Sequence, residues 1–331
     1  MSDYNDEWLL VRLLRLAAPR PAAPRDVESA VRASVRDEWL RQTSRRRRAP
    51  WLIAAAITGL AASLTIWIGG LWPAGTPDPI ATVLRSTGNV RLDTDGDRRG
   101  WLQLDSAVIP AGSRLATDRS SRLAVRLANG ASVRLDHSTE LAIQSAERLM
   151  LESGRIYVDT HAPGVAGGPL QIRTSRGIVS DVGTQFEVAY VDEAVRVRVR
   201  EGAVTIDRDA GRIQGDRGEE VHIDVDGNVK RSLVRTFGDH WSWAEAIAPS
   251  FDIDGRPLIE FLAWIARETG RELAFASRAS EQAARETVLH GSVQGFPPDE
   301  ALAAVLATTR LRPATDEGVL LIELRESVSS Q

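Results

Sequence analysis

The sequence predicts a multidomain chain. It begins with a short helical arm over residues 1–49 and one transmembrane helix over 50–72. An all-β domain follows over 80–235, a sandwich or roll, then a small α+β module of βαβ-βαβ order over 249–326. Linkers are expected at 73–79 and 236–248, and a tail at 327–331. Three observations carry this: a charge-free run at 51–72, period-two alternation after residue 80, and a switch to helical period after residue 249.

Residues 51–72, WLIAAAITGLAASLTIWIGGLW, are 22 consecutive residues without a charge. As a helix they span roughly 33 Å, enough to cross a hydrocarbon core. Trp51, Trp67 and Trp72 fall near its ends, where an indole keeps its ring in the interface. Arg45, Arg46, Arg47 and Arg48 precede it and should hold that side in the cytoplasm. A buried core helix is disfavoured by the length of the run. A cleaved signal peptide is disfavoured by the fifty residues in front of it. Gly59 and Ser63 form a small-xxx-small pair that could support a homodimer, although small residues are common in such helices.

The arm reads as two amphipathic helices separated by PRPAAP at 19–24. Trp8 and Leu13 lie in the first, Trp39 and Leu40 in the second. Helices of this size bury little surface alone, so they look for a partner protein. A stalk whose arginines serve only topology is the plain alternative, and attraction to anionic lipid is a third. Residues 1–50 hold eleven arginines against seven acids, while the whole chain has 41 basic and 45 acidic residues, net −4. That balance gives no case for nucleic acid. With no cysteine there is no disulfide, thiolate nucleophile or thiolate metal site.

After residue 80, segments 89–92, 123–127, 132–135, 155–158 and 195–199 alternate apolar and polar, which predicts strands with one wet face. Turn signals stand at Gly88, Asn129-Gly130, Gly154, Gly177, Gly202 and Asp226-Gly227. Residues 173–188, RTSRGIVSDVGTQFEV, resemble the signature of FecR-type domains, in which a TPxG-like turn leads to a strand and then to a Gly-Thr-x-Phe-x-Val strand. Segments 129–135 and 200–206 resemble its flanking repeats, so the likeness covers roughly 82–225. The motif residues Gly177, Gly183, Thr184, Phe186 and Gly202 specify a fold and include no reagent.

Beyond residue 249, strands are expected at 251–253, 272–276, 288–293, 311–314 and 319–324, with helices at 257–270 and 298–307. Leu258, Phe261, Leu262 and Ile265 form the buried stripe of the first helix. Phe251-x-Ile253, Pro257-Leu258, Thr269-Gly270, Gly291-x-Val293 and the helix at 300–306 resemble the secretin and TonB N-terminal short domain. Such modules bind other periplasmic proteins, and here Pro257, Leu258 and Trp264 are the implied contacts. Trp241 and Trp243 are expected to pack at the domain junction rather than form an exposed patch.

Catalytic signatures are absent: no GxxxxGK[ST], HExxH or GxSxG occurs, and the five histidines are scattered. No cofactor is expected. Asp93-x-Asp95-Gly96-Asp97 is similar to a calcium loop, but Leu104 stands where the bidentate Glu belongs, so a hairpin turn is expected.

The resemblance implies a non-enzymatic, single-pass regulator in the bacterial inner membrane, N-terminus inside and C-terminus periplasmic. Its arm, shorter than is usual in that family, would control an extracytoplasmic-function sigma factor. Its outer part would meet the signalling domain of a TonB-dependent transporter or another envelope protein. An envelope scaffold, in which the arm only sets topology, is the alternative.

Overall fold

In the computed structural model the described residues are 79–94, 97–98, 100–101, 107–160, 169–181 and 183–325. The expectations for the arm and for residues 51–72, including Trp8, Leu13, Trp39, Leu40, Gly59, Ser63 and Arg45 to Arg48, fall outside them. Among the described residues no helix is long and apolar enough to cross a membrane.

Alternating Val, Leu and Ile build a run of β-strands, as the period of two requires. They are β1 (Pro79–Thr87), β2 (Val90–Thr94), β3 (Asp97–Arg98), β4 (Val108–Pro110), β5 (Arg114–Thr117), β6 (Arg122–Leu127), β7 (Ser132–Leu135), β8 (Glu140–Ser145) and β9 (Arg148–Asp159). Then come β10 (Gln171–Thr174), β11 (Gly177–Asp181), β12 (Gln185–Val191), β13 (Ala194–Glu201), β14 (Ala203–Arg208), β15 (Gly211–Asp216), β16 (Glu219–Ile223) and β17 (Val229–Leu233).

One layer runs β4-β1-β6-β7-β9-β12-β13-β16-β17. The other runs β3-β2-β5-β8-β9-β10-β11-β14-β15. The strand common to both is β9. Its first half pairs with β8 and, in parallel, with β10; from Gly154 onward it pairs with β7 and β12. Gly154 was expected to mark a turn, but it sits inside this strand where the chain changes layer, at φ 90°. A Cβ there would stand 2.5 Å from the Thr139 Cα, so only glycine lets the backbones approach. Between the layers Leu115, Val133, Ile156, Phe186, Val188, Val197 and Val204 form one apolar core.

The second module holds α1 (Ser242–Ala246), α2 (Leu258–Thr269), β18 (Glu272–Phe275), α3 (Arg278–Glu286), α4 (Pro298–Ala307), β19 (Leu311–Asp316) and β20 (Val319–Leu324). Its sheet is β18-β20-β19, with β18 parallel and β19 antiparallel to β20. Pro257 precedes α2 and Gly270 caps it, and the stripe Leu258, Phe261, Leu262 and Ile265 is fully buried.

The observed order departs from βαβ-βαβ in three places. Residues 251–253 form no strand: Ile253 sinks into the core and Phe251 stacks on Phe261 and Trp264 at 6.2 and 5.7 Å, while the turn at Gly255 follows at once. Residues 288–293 supply only a Pro257↔Val288 bridge, because the chain bends at Gly291, φ 112°. An additional helix, α3, occupies 278–286. Its RASEQAARE sequence offers only small residues, Ser280, Ala283 and Ala284, to the core, and a Ser277/Ser280 capping box starts it. The segment expected as the linker 236–248 contains α1 and two buried tryptophans.

Candidate functional site

Alternation in β7, β9, β12 and β13 predicts a polar face in water. The structure covers that face with residues 235–270. Across the register, Arg134 pairs with Tyr157, Tyr157 with Glu187, Glu187 with Arg198 and Arg198 with Glu220, so one polar row crosses five strands. Arg134, Tyr157 and Glu187 are wholly removed from solvent. A buried charge is tolerated only when paired and hydrogen-bonded; Glu187 is paired within the sheet by Arg155, Arg196 and Arg198, whereas Arg134 finds its partners in the second module.

Arg134 donates from Nη2 to Glu268 Oε2 of α2 at 2.6 Å and from Nη1 to the Ala244 carbonyl at 2.9 Å. Arg200 makes three such bonds: to the Thr236 carbonyl at 2.7 Å, the Glu268 carbonyl at 2.8 Å and Glu245 Oε1 at 2.6 Å. Its guanidinium lies 4.9 Å from the Trp241 ring, and the Arg134 guanidinium 4.9 Å from the Tyr157 ring. Trp241 meets Tyr157 edge-on at 6.0 Å and donates its Nε1–H to the Arg235 carbonyl. Trp243 donates to Glu187 Oε2 at 2.9 Å beneath the Arg155 guanidinium. Arg267 of α2 forks onto Asp159 of β9, and Arg85 of β1 donates to the Gly295 carbonyl at 2.8 Å. The expectation of tryptophan packing at a junction thus has a definite geometry.

The charges follow from these contacts. Burial alone would lower the Arg134 guanidinium; Glu268 and Tyr157 outweigh it and hold it above its ordinary value. Burial pushes the Tyr157 hydroxyl up to about 12 against the pull of Arg200. Burial also raises the Glu245 carboxyl, with Arg200 opposing. Asp136, at the far end of the same face, is pushed up by burial but ends below the usual carboxylate range, because Arg155 and Arg122 bind it. Beside the junction opens a cleft of about 440 Å³ lined by Gln185, Glu201, Arg217, Arg267 and Arg271. Among the described residues no cluster of His, Asp or Glu could hold a metal. This arrangement couples the two modules.

Gly183, Thr184, Phe186 and Gly202 lie close together at the adjoining bend, while Gly177 stands at the other end of β11, against Asp207. Thr184 and Phe186 are fully buried, Phe186 in the core. Gly202, at φ 75°, passes so close to Gly183 and Thr184 that a Cβ would lie 2.6 Å from the Thr184 methyl. Gly177 turns the chain between β10 and β11. In the second module Leu258 belongs to the core, so it offers nothing to a partner; Pro257 and Trp264 remain half-exposed. Sequence reading missed Arg134, Tyr157, Glu187, Arg200 and Glu268. The signal available was the arginine and glutamate at alternate strand positions followed by two tryptophans. Asp93 and Thr94 pair with Arg98 and Asp97 in a hairpin.

Residues 113–205 match the family model described as FecR protein. No curated protein matches. Two crystal structures of a candidate anti-sigma factor from Parabacteroides distasonis ATCC 8503 are similar at 17% identity. One, at 2.50 Å, covers 65% of this chain and 98% of its own with a TM-score of 0.35. The other, at 1.65 Å, covers 65% and 99% with a TM-score of 0.36.

Proposed function

We propose that this chain is a FecR-type signal transducer of the bacterial inner membrane that works by protein–protein binding at both ends. The observation that carries this reading is the FecR family match over residues 113–205, in a chain that also has the uncharged run 51–72 behind four arginines. In it, the 1–49 arm binds an extracytoplasmic-function sigma factor in the cytoplasm. The unit Gly75–Gln331 lies in the periplasm, where its short-domain-like module receives a transporter signalling domain or another envelope protein through the Pro257 and Trp264 surface. The buried junction suits signal transfer, because Arg134 and Arg200 tie the two modules together and a contact on one is passed to the other as to a single body.

Co-purification of the full-length chain with the host's extracytoplasmic-function sigma factors tests this reading. Wild type should retain one, and Trp8→Ala or Trp39→Ala should release it. If none is retained while an envelope protein still is, the chain is a scaffold whose arm only sets topology.

A further inference from the structure

We propose that β17 is a docking edge for an extended segment of another protein in which apolar residues alternate with acidic ones. This surface is distinct from the junction and does not depend on sigma-factor binding.

The strand is the last of its layer, with β16 on one side and no strand on the other among the described residues. All five of its residues are exposed. The pairs Val221↔Arg231 and Ile223↔Val229 put Val229, Arg231 and Leu233 on the face that, in β16, belongs to the core. The core face therefore runs out past its cover as a shelf. Leu233 is 89% exposed, Val225 50% and Val229 40%. Arg231 does not block the shelf, because it reaches across to the Gln214 carbonyl of β15 at 2.6 Å and pins the opposite layer. A strand that contributes neither face to a core and leaves one edge open is a template for pairing.

Charge decides the occupant. Arg231 is already engaged by Glu219 at 3.5 Å, but if two copies paired antiparallel about Lys230, that lysine would face its own counterpart, and like charges directly opposite are unfavourable. Lys230, on the outer face, has no acidic partner among the described residues. A segment with apolar side chains over Val229 and Leu233 and a carboxylate opposite Lys230 satisfies both faces while its backbone completes the ladder.

Hydrogen exchange on the full-length chain in detergent tests this, with a designed peptide of about eight alternating Val and Glu residues and its Val–Lys counterpart as probes. The Val–Glu peptide should slow exchange of the 229–233 amides by about tenfold or more, and the Val–Lys peptide should not. Lys230→Glu should invert that preference. Leu233→Asp should weaken binding about tenfold with the melting temperature unchanged, because this side chain already stands in water. Absence of protection at saturating peptide, or equal protection by both peptides, overturns the proposal. So does protection that rises with protein concentration alone, which would give the edge to a second copy. None of these outcomes touches sigma-factor retention.

Discussion

Glu268 is the residue on which the junction turns, since its side chain meets Arg134 and its carbonyl meets Arg200. Both partners are buried, so truncation leaves a guanidinium without a counter-charge rather than merely losing a contact. Glu268→Ala should cost about 3–5 kcal/mol in denaturant unfolding, and Glu268→Gln, which keeps an acceptor, clearly less. A loss below about 1 kcal/mol would mean the pair contributes no more than a surface bridge. Asp136 gives a pH signature. Its folded-state value is depressed by Arg155 and Arg122 despite burial, so its stabilisation is complete above the unfolded carboxylate value of about 3.9 and disappears as pH falls through the folded one. Asp136→Asn should therefore destabilise at pH 7 by about 1–3 kcal/mol, and its deficit should shrink in acid. A deficit that is constant with pH would refute this charge pairing.

At the scale of elements, the change of layer within β9 decides the architecture. A strand shared by two sheets needs a sharp local bend, and Gly154 provides it against the Thr139 backbone. Gly154→Ala should cost more than about 1 kcal/mol, whereas Gly211→Ala, also at positive φ but with nothing within 4 Å, should lose only the backbone term. Thermal melts of the two variants separate crowding from conformation. Equal losses would place the whole effect in the dihedral. Parts of β2, β6, β7, β9 and β13 were readable from alternation, α2 from its stripe and proline and α4 from its opening proline, whereas β1, β4, β5, β8, β15, β16 and β17 were not. The helix α3 was not, because its inward face is built of small residues, Ser280, Ala283 and Ala284, with no large apolar side chain to mark it. Residues 251–253 and 288–293 misled for the opposite reason. Their apolar residues serve the core without a ladder partner.

At the scale of the molecule, Trp241 joins the modules, with its ring between Tyr157 and Arg200 and its N–H on the Arg235 carbonyl. Trp241→Ala should cost about 3–5 kcal/mol and split a single calorimetric transition into two. One unsplit transition would show that coupling runs through the arginines alone. Local patterning in the chain was enough to determine the strand-rich domain, the FecR-like motif at 173–188, the helices at 257–270 and 298–307 and the uncharged run at 51–72. Each of these depends on neighbours in sequence. Only the tertiary structure decided that Arg134, Glu187 and Arg200 on the polar faces of β7, β12 and β13 are buried, because Glu245, Glu268, the Trp243 N–H and the carbonyls that meet them come from far along the chain. An alternating strand reads the same whether water or another module covers its polar side.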